Sequence, residues 1–167
     1  WPGDIAIDEF SVIEAIANDI EASGIINSSG CGLNNSEQIG MKIKNNGISP
    51  QSNFDLSYKI NGGNPIIENY TNTLNAGDSA TYYFTTTADL SNNGLYNIEL
   101  ECLLTNDQVN SNNVLIVSIE NYISPSAPIT TNDTICNGDT AYLMATTTEG
   151  LIKWYSDQNA SNALINN

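Results

Sequence analysis

The chain has 167 residues, with 19 acidic side chains against 4 basic ones, a formal net charge of −15, three cysteines and no histidine. That length holds one full domain plus fragments, or one larger domain, and a hydrophobic content of 40% is enough to bury a core. The acidity excludes a nucleic-acid surface and docking on an anionic bilayer, and the missing imidazole excludes Ser-His-Asp triads, Cys-His dyads and zinc–histidine sites.

Apolar alternation with a period of two, the signature of a strand, dominates. It predicts strands over residues 4–12, 20–26 (broken by Gly24) and 38–44, the last ending at the turn Asn45-Asn46-Gly47. Between 54 and 60, Phe54, Leu56, Tyr58 and Ile60 alternate inward against Asp55, Ser57 and Lys59. Asn61-Gly62-Gly63-Asn64-Pro65 is a hairpin signal, and 66–70 reads as the return strand. Strands follow over 79–87, 94–104 and 113–120, with turn clusters between them, as in an antiparallel sandwich. Along 79–87, Tyr82 and Phe84 share one face and Tyr83 takes the other. One segment competes for another structure. Ser11 to Glu14 fits a capping box, with Val12, Ile16 and Ile20 on one helical face and Gly24 at its end, so 12–23 is open between helix and strand.

Near residue 122 the pattern stops. Ser124-Pro125-Ser126-Ala127-Pro128 has the composition of a semi-rigid linker, after which Cys136 to Thr140 forms a turn into a strand over 141–146. Gly150 leads to a further strand, Leu151-Ile152-Lys153-Trp154-Tyr155. The domains expected are 1–17, the end of a preceding domain plus linker; 18–122, a whole sandwich; and 123–167, a linker with the opening part of another. Trp1-Pro2 reads as the cut end of a larger chain. No run nears the roughly 18 consecutive apolar residues of a membrane span.

Three pieces resemble known extracellular modules. Gly3-Asp4-Ile5-Ala6-Ile7-Asp8-Glu9-Phe10-Ser11-Val12 is similar to the closing strand of MAM-type jelly-roll domains. Residues 18–122 resemble the CARDB-like, immunoglobulin-like modules of Bacteroidetes surface and secreted proteins. That resemblance is carried by Ser28-Ser29-Gly30-Cys31-Gly32-Leu33, Lys42-Ile43-Lys44-Asn45-Asn46-Gly47, Tyr58-Lys59-Ile60-Asn61-Gly62-Gly63, Ala76-Gly77-Asp78-Ser79-Ala80-Thr81-Tyr82 and Asn112-Asn113. Residues 127–167 are similar to the first half of Ig-like repeats, with Cys136-Asn137-Gly138-Asp139-Thr140 before one strand and Ile152-Lys153-Trp154-Tyr155 forming the next. The resemblances imply an all-β chain: an antiparallel Ig-like sandwich of about seven strands flanked by partial β domains. They also imply a large secreted or cell-surface bacterial protein, exported by the type IX route, that acts as an adhesin stalk or spacer. Its partners would be neighbouring domains of the same polypeptide and the export or surface-attachment machinery. Alternatives are a glycan- or protein-binding module and the accessory region of a secreted metalloprotease.

In such a sandwich Cys31 lies ahead of the second strand and Cys102 within the sixth. These strands face each other, so a disulfide between the two is expected, with two separate buried thiols as the alternative; a bridge needs Cα atoms within about 7 Å. Cys136 is left unpaired, its mate expected beyond residue 167. Asp4, Asp8 and Glu9 are candidate calcium ligands, because related MAM-like strands bind calcium through carboxylates; a solvated strand face is the alternative. Asp107 to Asn113 is a second oxygen-rich loop, without EF-hand spacing, and reads as a polar turn. Trp154 is expected in the core of the last module, with an aromatic sugar platform as the alternative. Asp55 and Glu68 are placed on neighbouring strands, both outward, where no cleft would make them a glycosidase pair. No catalytic residue is assigned, and the only cofactor considered is calcium.

Overall fold

The computed structural model describes residues 15–148, 150–156, 159 and 163–166. The expected strand over 4–12, and with it Asp4, Asp8 and Glu9, lies outside the described residues. The chain divides into two compact units, one ending at Tyr122 and one starting at Ile123.

The first unit is a two-sheet β-sandwich. Its strands are β1 (Ile20–Ile25), β2 (Gly30–Cys31), β3 (Gly40–Asn45), β4 (Phe54–Ile60), β5 (Ile66–Tyr70), β6 (Ser79–Tyr83), β7 (Gly94–Leu103) and β8 (Val114–Tyr122). One sheet has the order β1-β3-β6 and the other β2-β8-β7-β4-β5, the arrangement of an Ig-like fold. All pairings are antiparallel except the short contact of Gly30-Cys31 with Asn121-Tyr122, which is parallel. Alternation sends one face of each strand inward: Met41 and Ile43 from β3, Leu56 and Tyr58 from β4, Ile98 and Leu100 from β7. Between the sheets Tyr58, Phe84, Tyr82, Tyr70 and Phe54 form a chain of rings with centroids 4.8 to 6.2 Å apart, mostly edge to face. The β4–β5 connection turns at Asn61 and Gly62, both at positive φ, with the Gly63 N–H donating to the Ile60 carbonyl at 2.9 Å.

These strands settle one open alternative and correct one expectation. No helix forms over the described part of 12–23. Residues 15–19 are irregular and β1 follows, burying Ile20 and Ala22 against β3. Gly24 falls where the β1–β3 register shifts, not at a helix end. Pairing with β3 satisfies the backbone and buries apolar surface together, which outweighs a local capping signal. The strand expected over 79–87 ends at Tyr83, because the amides of Thr85 and Thr86 leave the ladder to bind a side chain, Glu68.

The second unit carries two separate antiparallel pairs, β9 (Ile129–Thr131) with β10 (Met144–Thr146) and β11 (Lys153–Tyr155) with β12 (Ala163–Asn166). Cys136 to Asp139 is a turn, closed by the Asp139 N–H donating to the Cys136 carbonyl at 3.1 Å with Gly138 at φ 99°. This unit leaves much apolar surface in solvent, with Tyr142 and Leu151 each 79% exposed.

Candidate functional site

Three clusters of polar side chains sit where segments meet, and they bond mainly to backbone. Glu68 on β5 is one. Its carboxylate accepts from the Thr85 N–H (2.9 and 3.0 Å), the Thr86 N–H (2.9 Å), the Thr85 hydroxyl (2.8 Å) and the Tyr82 hydroxyl (2.9 Å). Partial burial pushes its pKa up, but these donors outweigh it and hold the carboxyl at about 2. Burial, with the Glu68 charge added, pushes the Tyr82 phenol up to about 12. Glu68 thus ties an edge strand of the five-stranded sheet to the chain leaving β6 in the other. Register pairs Glu68 with Leu56, on the inner face, and Asp55 with Asn69, on the outer face. The two acids therefore point to opposite faces, and the expectation that both face outward is corrected.

A second cluster, the incoming one, gathers the first described residues of this unit before β1. The Ala17 and Asn18 N–H groups donate to Gln108 Oε1 at 2.6 and 3.0 Å, and the Gln108 N–H returns to the Asn18 carbonyl at 2.9 Å. Ile20 N–H donates to Asp107 Oδ2 at 2.9 Å, and Asn112 Nδ2 donates to buried Asp19 Oδ1 at 2.7 Å. The loop 107–113 is a polar turn, as expected: Asp107 Oδ1 accepts from the Val109 N–H at 2.8 Å, and 110–112 form a 3-10 turn. Beside it, the turn after β3 lies so close to the incoming chain that a Cβ at Gly47 would stand 2.4 Å from the Ala17 carbonyl oxygen.

The third cluster holds the outgoing end. Asn121, buried near the end of β8, donates from Nδ2 to the carbonyls of Leu90 (2.9 Å), Ser91 (3.1 Å) and Leu33 (3.3 Å) and accepts from the Leu33 N–H. Next to it the Glu120 N–H donates to Ser29 Oγ at 2.9 Å. Asn121 pairs with Gly94, the first residue of β7, whereas the incoming cluster sits on the loop that follows β7. The first described residues of this unit and the end of β8 therefore lie at opposite ends of β7, roughly 30 Å apart at about 3.3 Å per residue.

The same register corrects the expected disulfide. Cys31 lies beside Tyr122 at the outgoing end, while Cys102 pairs with Leu56 near the far end of β7. Some 25 Å of strand separates them, against the roughly 7 Å a bridge allows. Both thiols are free, as is Cys136. Cys102 is 1% exposed; burial, with Asp107, Glu101 and Glu21 nearby, pushes its thiol well above the ordinary range.

Trp154 is half-buried and lines an open cavity of ≈ 390 Å³ within the second unit, with Pro128, Thr130, Ala145, Leu151 and Tyr155. Among the described residues no three His, Cys, Asp or Glu side chains come together as a metal site would require. Nor is any helix among them long and apolar enough to cross a membrane.

No family model matches the chain, and no curated protein matches it. A solved structure does: the solution NMR structure of a "putative cell surface protein (272-376 domain)" from Methanosarcina acetivorans, with a TM-score of 0.51 and 18% identity over 64% of this chain and 93% of that one. At that identity the likeness establishes the fold, an all-β sandwich.

Proposed function

We propose that this chain is a non-catalytic part of a large secreted or cell-surface protein, and that the 18–122 sandwich serves as a spacer in a stalk. The observation that carries this reading is the separation of the incoming and outgoing chain by the length of β7. A module so connected adds its long axis to the reach of the polypeptide. The polar clusters support the same reading, since they hold segment to segment. The matching cell-surface domain and the resemblance of 18–122 to CARDB-like modules point the same way. A net charge of −15 suits a stalk, because like-charged neighbours repel and stay soluble.

The cavity beside Trp154 favours one second reading, a glycan-binding surface on the second unit, since an aromatic face in an open apolar hollow suits a sugar ring. A glycan array with the full chain, followed by Trp154 fluorescence titration of any hit, separates the two. The spacer reading expects no saturable binding. Binding that is lost in Trp154→Ala while the fold is kept would replace it.

A further inference from the structure

Building on the spacer reading, we infer that the first unit is a load-bearing element whose latch is the cluster joining Ala17–Ile20 to Asp107–Asn112. β1 starts at the incoming end and β8 finishes at the outgoing end. Tension between these points pulls each terminal strand along its own axis, in opposite directions. The ladders β1–β3 and β7–β8 are then sheared, so their bonds load together and do not unzip one at a time. Shear also falls on the parallel contact of β2 with β8, because β2 follows β1 and is drawn toward the incoming end while β8 is drawn away.

The shortest path for the load passes through the latch. From residues 17–20 it crosses five bonds of 2.6 to 3.0 Å into residues 107–112, and then runs along the covalent backbone of β8 to Tyr122. Gln108 is the key residue. Its side chain and its own N–H together clasp Ala17 and Asn18, and Gln51 holds Asn18 Oδ1 from a third side at 2.7 Å. At the other end Asn121 and Ser29 keep β8 from peeling off as it leaves the unit. Glu68 lies off this path, since it links β5 to the chain after β6.

The test is single-molecule unfolding of the full chain at constant load, with handles on Ile16→Cys and Ile123→Cys and with Cys31 and Cys136 changed to serine. Gln108→Ala removes two latch bonds at an exposed position and should raise the unfolding rate of the first unit about tenfold. Ser29→Ala, also at an exposed position, should raise it severalfold. Glu68→Gln should lower stability in denaturant yet leave the loaded rate within about twofold of the parent. A Gln108→Ala chain that unfolds under load at the parent rate, or a Glu68→Gln chain that is accelerated as much as Gln108→Ala, would overturn the latch. The folded extension between the handles at low force bears separately on the spacer reading: a span far short of about 30 Å sinks that reading, whatever the unfolding rates.

Discussion

Glu68 shows how one side chain can end a strand and join two sheets. Two amides, a hydroxyl and a phenol converge on a carboxylate only partly covered by protein, and the ionised form is what they bind. Its folded pKa of about 2 lies below the ordinary 4.5 of an unfolded chain. The stabilisation is therefore present in full above about pH 4.5 and is lost as the pH falls toward 2. After allowance for solvent screening it is worth about 1 to 2 kcal/mol. Loss of the other carboxylate charges relieves repulsion over the same range, so the useful quantity is a difference between two chains. Thermal melts of the parent and of Glu68→Gln should converge in Tm from pH 5 to pH 2. A constant gap would show that the carboxylate's charge contributes nothing.

Among the elements, the extents of β4 and β5 are legible, because Phe54, Leu56, Tyr58 and Ile60 alternate with polar residues and a strong turn follows, but the surroundings of Ser57, which is buried, and of Glu68, which faces inward, are not. The close of β6 was not, since it depends on Glu68, remote in sequence from Thr85 and Thr86. β2 has two residues and no periodicity, and its pairing with β8 is set by tertiary position. Local capping signals in 11–24 suggested a helix, but only the chain beyond them could supply β3 as a partner. Much the same holds for the incoming cluster. Its loop at 107–113 read correctly as a polar turn, but its partners at 17–20 lie some 90 residues away in the chain, beyond any local pattern. Strand position also decides the chemistry of the cysteines. With Cys31 on exposed β2 and Cys102 inside β7, an alkylating reagent should modify Cys31 and Cys136 in the folded chain and reach Cys102 about a hundredfold more slowly, on unfolding. Peptide mapping without reduction should find no Cys31–Cys102 link, and a substantial yield of that link would contradict the register of β2 and β7.

For the whole molecule, the central claim is directional: the start of β1 and the end of β8 lie at opposite ends of the first unit. Polar clusters fasten both points, Gln108, Asp107 and Asp19 at one and Asn121 with Ser29 at the other, while the apolar layer between the sheets supplies the body. The second unit, with its two short strand pairs and exposed apolar side chains, has no comparable closed core among its described residues. The most direct measurement is a spin-label distance between Ile16→Cys and Tyr122→Cys in the full chain, with Cys31 and Cys136 replaced by serine. A single narrow distribution centred at about 30 Å or more is the expected result. A population centred below about 15 Å would place both ends on the same side of the sandwich and contradict the account.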